Sequence, residues 1–230
     1  MIKNIKIEGI SCACVPKDAS TRIVYMIYPH IDGFTDEWLE TQARENKCSL
    51  VVVYVPVDKW NDYLTPWPEP GETAGAEPFA GEGAEFLKIL VDDIIPQAEK
   101  VLGVSHVAER DLVGVSLGGL FTLWQWMQCS IFHSIACLSG SFWYMGFMEW
   151  FDKQTVPHKQ GKAYFLLGTQ EPKANIKAYR PVGVNTETIV GALKKAGIST
   201  TFEWVSGNHF ANPLQRAEKA LANLAENGMG

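Results

Sequence analysis

The stretch Asp111-Leu112-Val113-Gly114-Val115-Ser116-Leu117-Gly118-Gly119 reads as a short apolar strand that enters Gly-x-Ser-x-Gly and continues into a helix. The flanking elements are what make the motif informative. A serine at such a turn sits on a strained backbone with its hydroxyl projecting from the sheet edge, and the flanking glycines remove side chains that would collide. Ser116 is therefore the candidate nucleophile. The helix beginning beyond it aims unpaired N–H groups and its positive dipole end at the same point, which makes the Leu117 amide a candidate oxyanion donor. The competing reading is a Ser-Gly turn that merely joins strand to helix.

Working outward, residues 23–28 (IVYMIY) and 50–57 (LVVVYVPV) are apolar throughout and rich in β-branched side chains, and shorter runs of this kind lie at 111–115, 131–138, 163–167 and 200–205. Continuous apolar character without alternation predicts strands covered on both faces, as in a parallel sheet between helices. Helical patterns fall between them at 36–46, 83–102, 118–128, 185–196 and 214–226. Lys194, Lys195 and Gly197 read as a helix stop, and Asn212, Pro213 and Gln215 as N-cap, N1 and the third member of a capping box. Leu214, Ala217, Leu221 and Leu224 share one face of the last helix, which predicts that it docks on the sheet. Strands alternating with helices predict an α/β fold, a mostly parallel central sheet flanked by helices.

The segment 56–81 interrupts this rhythm with Pro56, Pro66, Pro68, Pro70 and Pro78. It reads as a long irregular loop, either a wall of a binding pocket or a packed connection. Its Trp60, Tyr63, Trp67 and Phe79 are candidates to line an apolar pocket, and Trp60, Tyr63 and Trp67, with Trp143 and Tyr144 from the aromatic-rich segment 139–151, are the candidate substrate-binding side chains.

A chain of 230 residues with 47% hydrophobic residues can bury a large core, which predicts one domain over 1–230 and excludes disorder. Twenty Lys and Arg against 26 Asp and Glu give a net charge of −6, with no basic run to grip a phosphate backbone, so no nucleic-acid partner is expected. The longest apolar stretch, 50–57, falls far short of the roughly 18 to 20 residues that span a bilayer. The opening MIKNIKIEGI lacks the apolar core of a signal peptide, so a cytoplasmic location away from membranes is expected. The five cysteines are expected to be mostly buried thiols; Cys12 and Cys14 are separated by one residue, where metal and redox pairs have two or more, so no metal site is expected.

A serine hydroxyl needs a base to take its proton. His106 precedes a strand and falls at the opposite sheet edge, His133 lies in an apolar run, and His158 lies in a polar connection. His30 is on the correct edge but precedes the serine. His209, in Ser206-Gly207-Asn208-His209-Phe210, follows the last strand and is the natural base. The orienting acid should follow a strand between Ser116 and His209 in sequence. Glu171, after 163–167, is the first candidate and Asp152 the second, against the alternative of an ordinary surface carboxylate.

The order Ser116, Glu171, His209 matches the nucleophile, acid, base order of α/β-hydrolases. Over nearly its whole length the chain resembles the esterase D family of that fold. The resemblance rests on Asp62-Tyr63-Leu64-Thr65-Pro66-Trp67, Gly81-Glu82-Gly83 before a helix reaching Ile95-Pro96, Gly114 to Gly119, Leu138-Ser139-Gly140-Ser141-Phe142-Trp143, Leu167-Gly168-Thr169-Gln170-Glu171 and Gly207-Asn208-His209. It implies an α/β-hydrolase fold and hydrolysis of carboxylic esters by Ser116, His209 and an acid. Relatives often carry His-Gly after the early strand, where a second oxyanion amide resides; here the loop reads Tyr28-Pro29-His30-Ile31-Asp32-Gly33, so His30 or Ile31 would supply it. The acid is Glu where many α/β-hydrolases have Asp.

The expected chemistry is an acyl-enzyme cycle on a small-molecule ester, without a cofactor and without a separate cap domain. Acyl transfer to another acceptor, peptidase chemistry and a non-catalytic ligand-binding role are the alternatives. The sequence leaves homo-oligomerisation and the identity of the acyl group and alcohol open.

Overall fold

In β3 (Arg22–Tyr28), Ile23, Tyr25 and Ile27 enter one apolar cluster while Val24, Met26 and Tyr28 enter another. Successive side chains of a strand leave on opposite faces, so a strand buried in both clusters must lie inside a three-layer stack. The computed structural model describes residues 1–31, 33–104, 106–156 and 160–226. Its sheet has eight strands in the order β1-β2-β4-β3-β5-β6-β7-β8. Six of them, β3, β4 (Ser49–Tyr54), β5 (Glu109–Val115), β6 (Ser134–Leu138), β7 (Lys162–Gly168) and β8 (Ser199–Val205), pair in parallel. β8 is the edge of the sheet and has no buried residue, so the expectation of cover on both faces fails for 200–205. β1 (Lys3–Ile7) and β2 (Ile10–Val15) form an antiparallel hairpin that adds to β4. This is the α/β-hydrolase fold.

The sequence reading omitted that hairpin, although the alternation in MIKNIKIEGI is that of a strand with one covered face. β1 is largely exposed except at Ile7, as the outermost strand of a sheet allows. Cys12 and Cys14 are buried on β2, and burial pushes their thiols up, to about 12 and about 11, so they stay protonated at neutral pH. Cys48 and Cys137 are buried as well, and Cys129 is partly so.

Helix α1 (Asp36–Glu45) and helix α8 (Pro213–Ala225) cover one face through Leu39, Ala43, Ala217, Ala220, Leu221 and Leu224. The other face carries α3 (Gly83–Ile89), α4 (Ile95–Leu102), α5 (Leu117–Trp126) and α7 (Val182–Lys195). α3 and α4 form one run joined by a π turn at Leu90–Ile94. Pro96 lacks the N–H that would continue the regular ladder, a sufficient cause for the shift. No described helix is long and apolar enough to cross a membrane.

Several expectations need correction. The apolar run 50–57 stops being strand at Tyr54, and residues 57–63, expected to be irregular, form helix α2 (Val57–Tyr63), with Pro56 at its N-cap. The rest of the 56–81 segment is tied down by the Glu69–Phe79 bridge and by Thr65, whose Oγ1 donates to Asn61 O (2.7 Å) and accepts from Gly81 N (3.2 Å). The 131–138 run becomes strand only at Ser134, because Phe132 turns into the core against Tyr25. Asn212 is not a capping-box residue: its backbone is left-handed (φ 53°, ψ 53°) and its side chain caps nothing, whereas an N-cap needs extended geometry.

Candidate active site

Ser116 links β5 to α5 with φ 57° and ψ −123°, a conformation L-residues avoid unless the surroundings enforce it. The surroundings do. Its N–H donates to Leu138 O (2.9 Å), and its carbonyl accepts from Gly119 N (2.9 Å) and Ser141 N (3.0 Å). The turn is so tight that a Cβ on Gly114 would lie 2.1 Å from Gly118 O, which makes glycine obligatory there. Leu117, directly after the serine, then opens α5, where a first-turn N–H has no helical acceptor.

Three parallel strands end at this edge of the sheet, β7 beside β8 and β5 one strand further in, across β6. β5 delivers Ser116, β7 delivers Glu171 through the short 3₁₀ turn Glu171–Lys173, and β8 delivers His209. His209 Nε2 lies 3.0 Å from Ser116 Oγ, and Nδ1 lies 2.8 Å from Glu171 Oε2. With Nδ1–H donating to the carboxylate, Nε2 is the acceptor facing the hydroxyl. The structure therefore brings the three residues singled out in the sequence into one relay.

Glu171 is 6% exposed. Its Oε1 accepts from Ser139 Oγ (2.6 Å), Gly168 N (2.7 Å) and Arg216 Nη1 (3.1 Å). Burial pushes this carboxyl up, but the hydrogen bond and charge of His209, with the Ser139 and Gly168 donors, outweigh burial and hold it below its ordinary value. Arg216 also donates to Asn208 O (2.6 Å) and contacts Ser139 Oγ, so one guanidinium ties together the loops after β6, β7 and β8. A Cβ on Gly168 would come within 2.6 Å of Gly207 O and 2.8 Å of Arg216 Nη2, so that position too must be glycine.

The reading from sequence overlooked Arg216 and Ser139. A signal existed for Arg216: it precedes Ala220 and Leu224 by four and eight residues, placing a charge on the buried stripe of α8, where an unpaired guanidinium does not persist. Asp152, the second candidate acid, sits at the exposed end of α6 (Phe147–Asp152), away from the relay. Of the other histidines, His133 neighbours Ser134 and Asp111 at the far ends of their strands, and His158 lies outside the described residues.

A cavity of about 530 Å³ opens over Ser116, within the size range of small-molecule sites. Trp60 and Trp143 line it, as does Leu117. Tyr63, Trp67 and Tyr144, expected to bind substrate, stand behind the wall instead. Tyr63 stacks on Phe86, the Trp67 indole donates to Met145 O, and the buried Tyr144 hydroxyl donates to Trp67 O. The side chains of His30 and Ile31 do not line the cavity: His30 is exposed against Tyr54 and Ile31 packs on the α1–α8 face. Their loop nonetheless leaves β3 at the edge where Ser116 sits, because Ile27 pairs with Gly114. Asp32 of that loop lies outside the described residues.

No family model matches the chain. It is 25% identical over 166 residues to the uncharacterized protein YbbA of Bacillus subtilis (strain 168), a match spanning 71% of this chain and 66% of that relative, just under two thirds of its length. Among solved structures it is similar to an IroE-like serine hydrolase from Shewanella oneidensis, with a TM-score of 0.76 at 15% identity over 97% of this chain and 79% of the other. It is also similar to the enterobactin and salmochelin hydrolase IroE, with a TM-score of 0.70 at 20% identity over 99% and 95% of the two chains. At these identities the likeness establishes the shared fold.

Proposed function

We propose that this protein is a serine hydrolase of the esterase D type that cleaves small carboxylic esters through an acyl-enzyme. The observation that carries the reading is the continuous relay from Ser116 Oγ to His209 Nε2 (3.0 Å) and from His209 Nδ1 to Glu171 Oε2 (2.8 Å), at the floor of an open cavity. A structural neighbour named as a serine hydrolase, and another named as a hydrolase, support it.

His209 takes the Ser116 proton as Oγ bonds to the ester carbonyl carbon. The Leu117 N–H, with an amide of the His30–Ile31 loop, holds the oxygen that becomes negative. The bond to the alcohol oxygen then breaks, and the alcohol leaves with the proton from His209. Water repeats the attack with His209 again as base, releasing the acid and restoring the serine. Every group this cycle requires is a side chain or amide of the chain itself, within one domain.

The test is incubation of wild type and Ser116→Ala with short-chain chromogenic esters and a fluorophosphonate probe. The expected outcome is turnover and labelling in wild type alone. Absence of both in wild type, or equal labelling of the variant, refutes the reading. Added alcohol reports whether water or another acceptor receives the acyl group.

A further inference from the structure

The cavity over Ser116 has an aromatic wall that the relay does not use. Trp143 and Tyr179 meet with ring centroids 4.4 Å apart, Phe79 lies 6.3 Å from Trp143, and Phe210, 84% exposed, stands at the rim with its edge against His209. One further charged side chain, Glu72, lines the same cavity, with Oε1 hydrogen-bonded to the Tyr179 hydroxyl. Burial, reinforced by that hydrogen bond and the Glu72 charge, pushes the Tyr179 phenol up, so the phenol remains the donor and the carboxylate the acceptor.

The charge balance of this space is one-sided. Glu171 is already paired with His209 and Arg216, which leaves Glu72 as the carboxylate open to a ligand. Among the described residues lining the cavity there is no Lys or Arg; Lys173 lines an adjoining depression instead. Ring faces attract a cation through their quadrupole, and most strongly where water is displaced. A carboxylate beside them adds attraction for a cation and repulsion for an anion.

We infer that the cavity selects esters carrying a quaternary or protonated amine, held between the aromatic wall and Glu72. This rests on the ester-hydrolase reading for its reaction and on the aromatic wall with Glu72 for its selectivity. It also disfavours substrates whose acyl or alcohol half is anionic, because no lining cation compensates them.

Two isosteric pairs test it, since the amine sits on either half of the ester. Butyrylcholine is compared with 3,3-dimethylbutyl butyrate, and ethyl 4-(trimethylammonio)butanoate with ethyl 5,5-dimethylhexanoate. Within each pair a charged nitrogen replaces a neutral carbon of the same shape. The expected result is a kcat/KM for the cationic member about tenfold higher in at least one pair, equivalent to about 1.4 kcal/mol. In Glu72→Gln that ratio should fall severalfold. Ratios near one in both pairs, or a preference that Glu72→Gln leaves intact, overturn the inference.

Binding of the same four esters to Ser116→Ala, followed by tryptophan fluorescence, gives a readout independent of turnover. If no ester is hydrolysed but a cationic member binds about tenfold tighter than its isostere, the selectivity stands and the hydrolase reading falls. Equal affinities within both pairs overturn the selectivity whatever the catalytic result.

Discussion

Arg216 Nη1 lies 3.1 Å from Glu171 Oε1, the carboxylate oxygen that His209 does not use. The two oxygens therefore have separate tasks: Oε1 is anchored to the scaffold and Oε2 orients the imidazole. Arg216 is 4% exposed and Glu171 6%, so their pairing is shielded from solvent and neither can lose its partner without leaving a buried charge.

Arg216→Met is expected to destabilise the fold by about 3 kcal/mol, the lower part of the range for removing one partner of a buried pair. It should also lower kcat well below the unfolding temperature, because the Asn208 carbonyl and the Glu171 carboxylate lose their common tether. Arg216→Lys should recover part of both, limited by the loss of the planar fork. Urea unfolding and steady-state kinetics on the three proteins check this.

Glu171→Gln keeps the side-chain shape but removes the charge that stabilises an imidazolium and selects its tautomer. A fall in kcat of about 10³ to 10⁴ is expected, by comparison with other triads whose acid is neutralised. Asp152→Asn should match wild type, since Asp152 is exposed on α6. Parallel assays on one ester separate the two carboxylates.

Glu171 is held below its ordinary carboxyl value of 4.5, so it binds a proton more weakly in the native state than in the unfolded chain. The stabilisation from its ionised form is fully present above that ordinary value and is lost as the pH falls through the lower native one. Denaturant midpoints of wild type and Glu171→Gln should therefore converge on acidification below about 4.5 and differ most near neutrality. A gap that stays constant across this window contradicts the assigned sign.

Gly114→Ala should cost about 3 kcal/mol or more, the upper end for overpacking, because the added methyl meets the Gly118 carbonyl, which the nucleophile turn cannot move. Circular dichroism melting reads the effect directly. An unchanged melting temperature contradicts the tight geometry described for the turn.

The central strands were legible because a strand covered on both faces is apolar at nearly every position, as residues 23–28 and 163–167 are. The serine was legible because its turn demands particular residues at adjacent positions. β1 escaped because an edge strand needs only weak alternation, β2 (ISCACV) because small residues break up its apolar run, and α2 because prolines after it made the whole 56–81 segment resemble a loop. That Tyr63, Trp67 and Tyr144 stand outside the cavity lining was not legible for a related reason: an aromatic residue near a cavity has the same local sequence whether its ring faces the opening or supports the wall.

Local sequence thus determined the parallel α/β layers and the Ser116 turn, and placed Glu171 and His209 as candidates on the loops after later strands, since burial periodicity and turn chemistry act over a few neighbouring residues. Tertiary structure alone decided that Arg216, 45 residues beyond Glu171, reaches the carboxylate, and that Glu72 meets Tyr179 across the cavity. Those contacts depend on where separate strands and loops converge in space, and short-range pattern carries no record of that convergence.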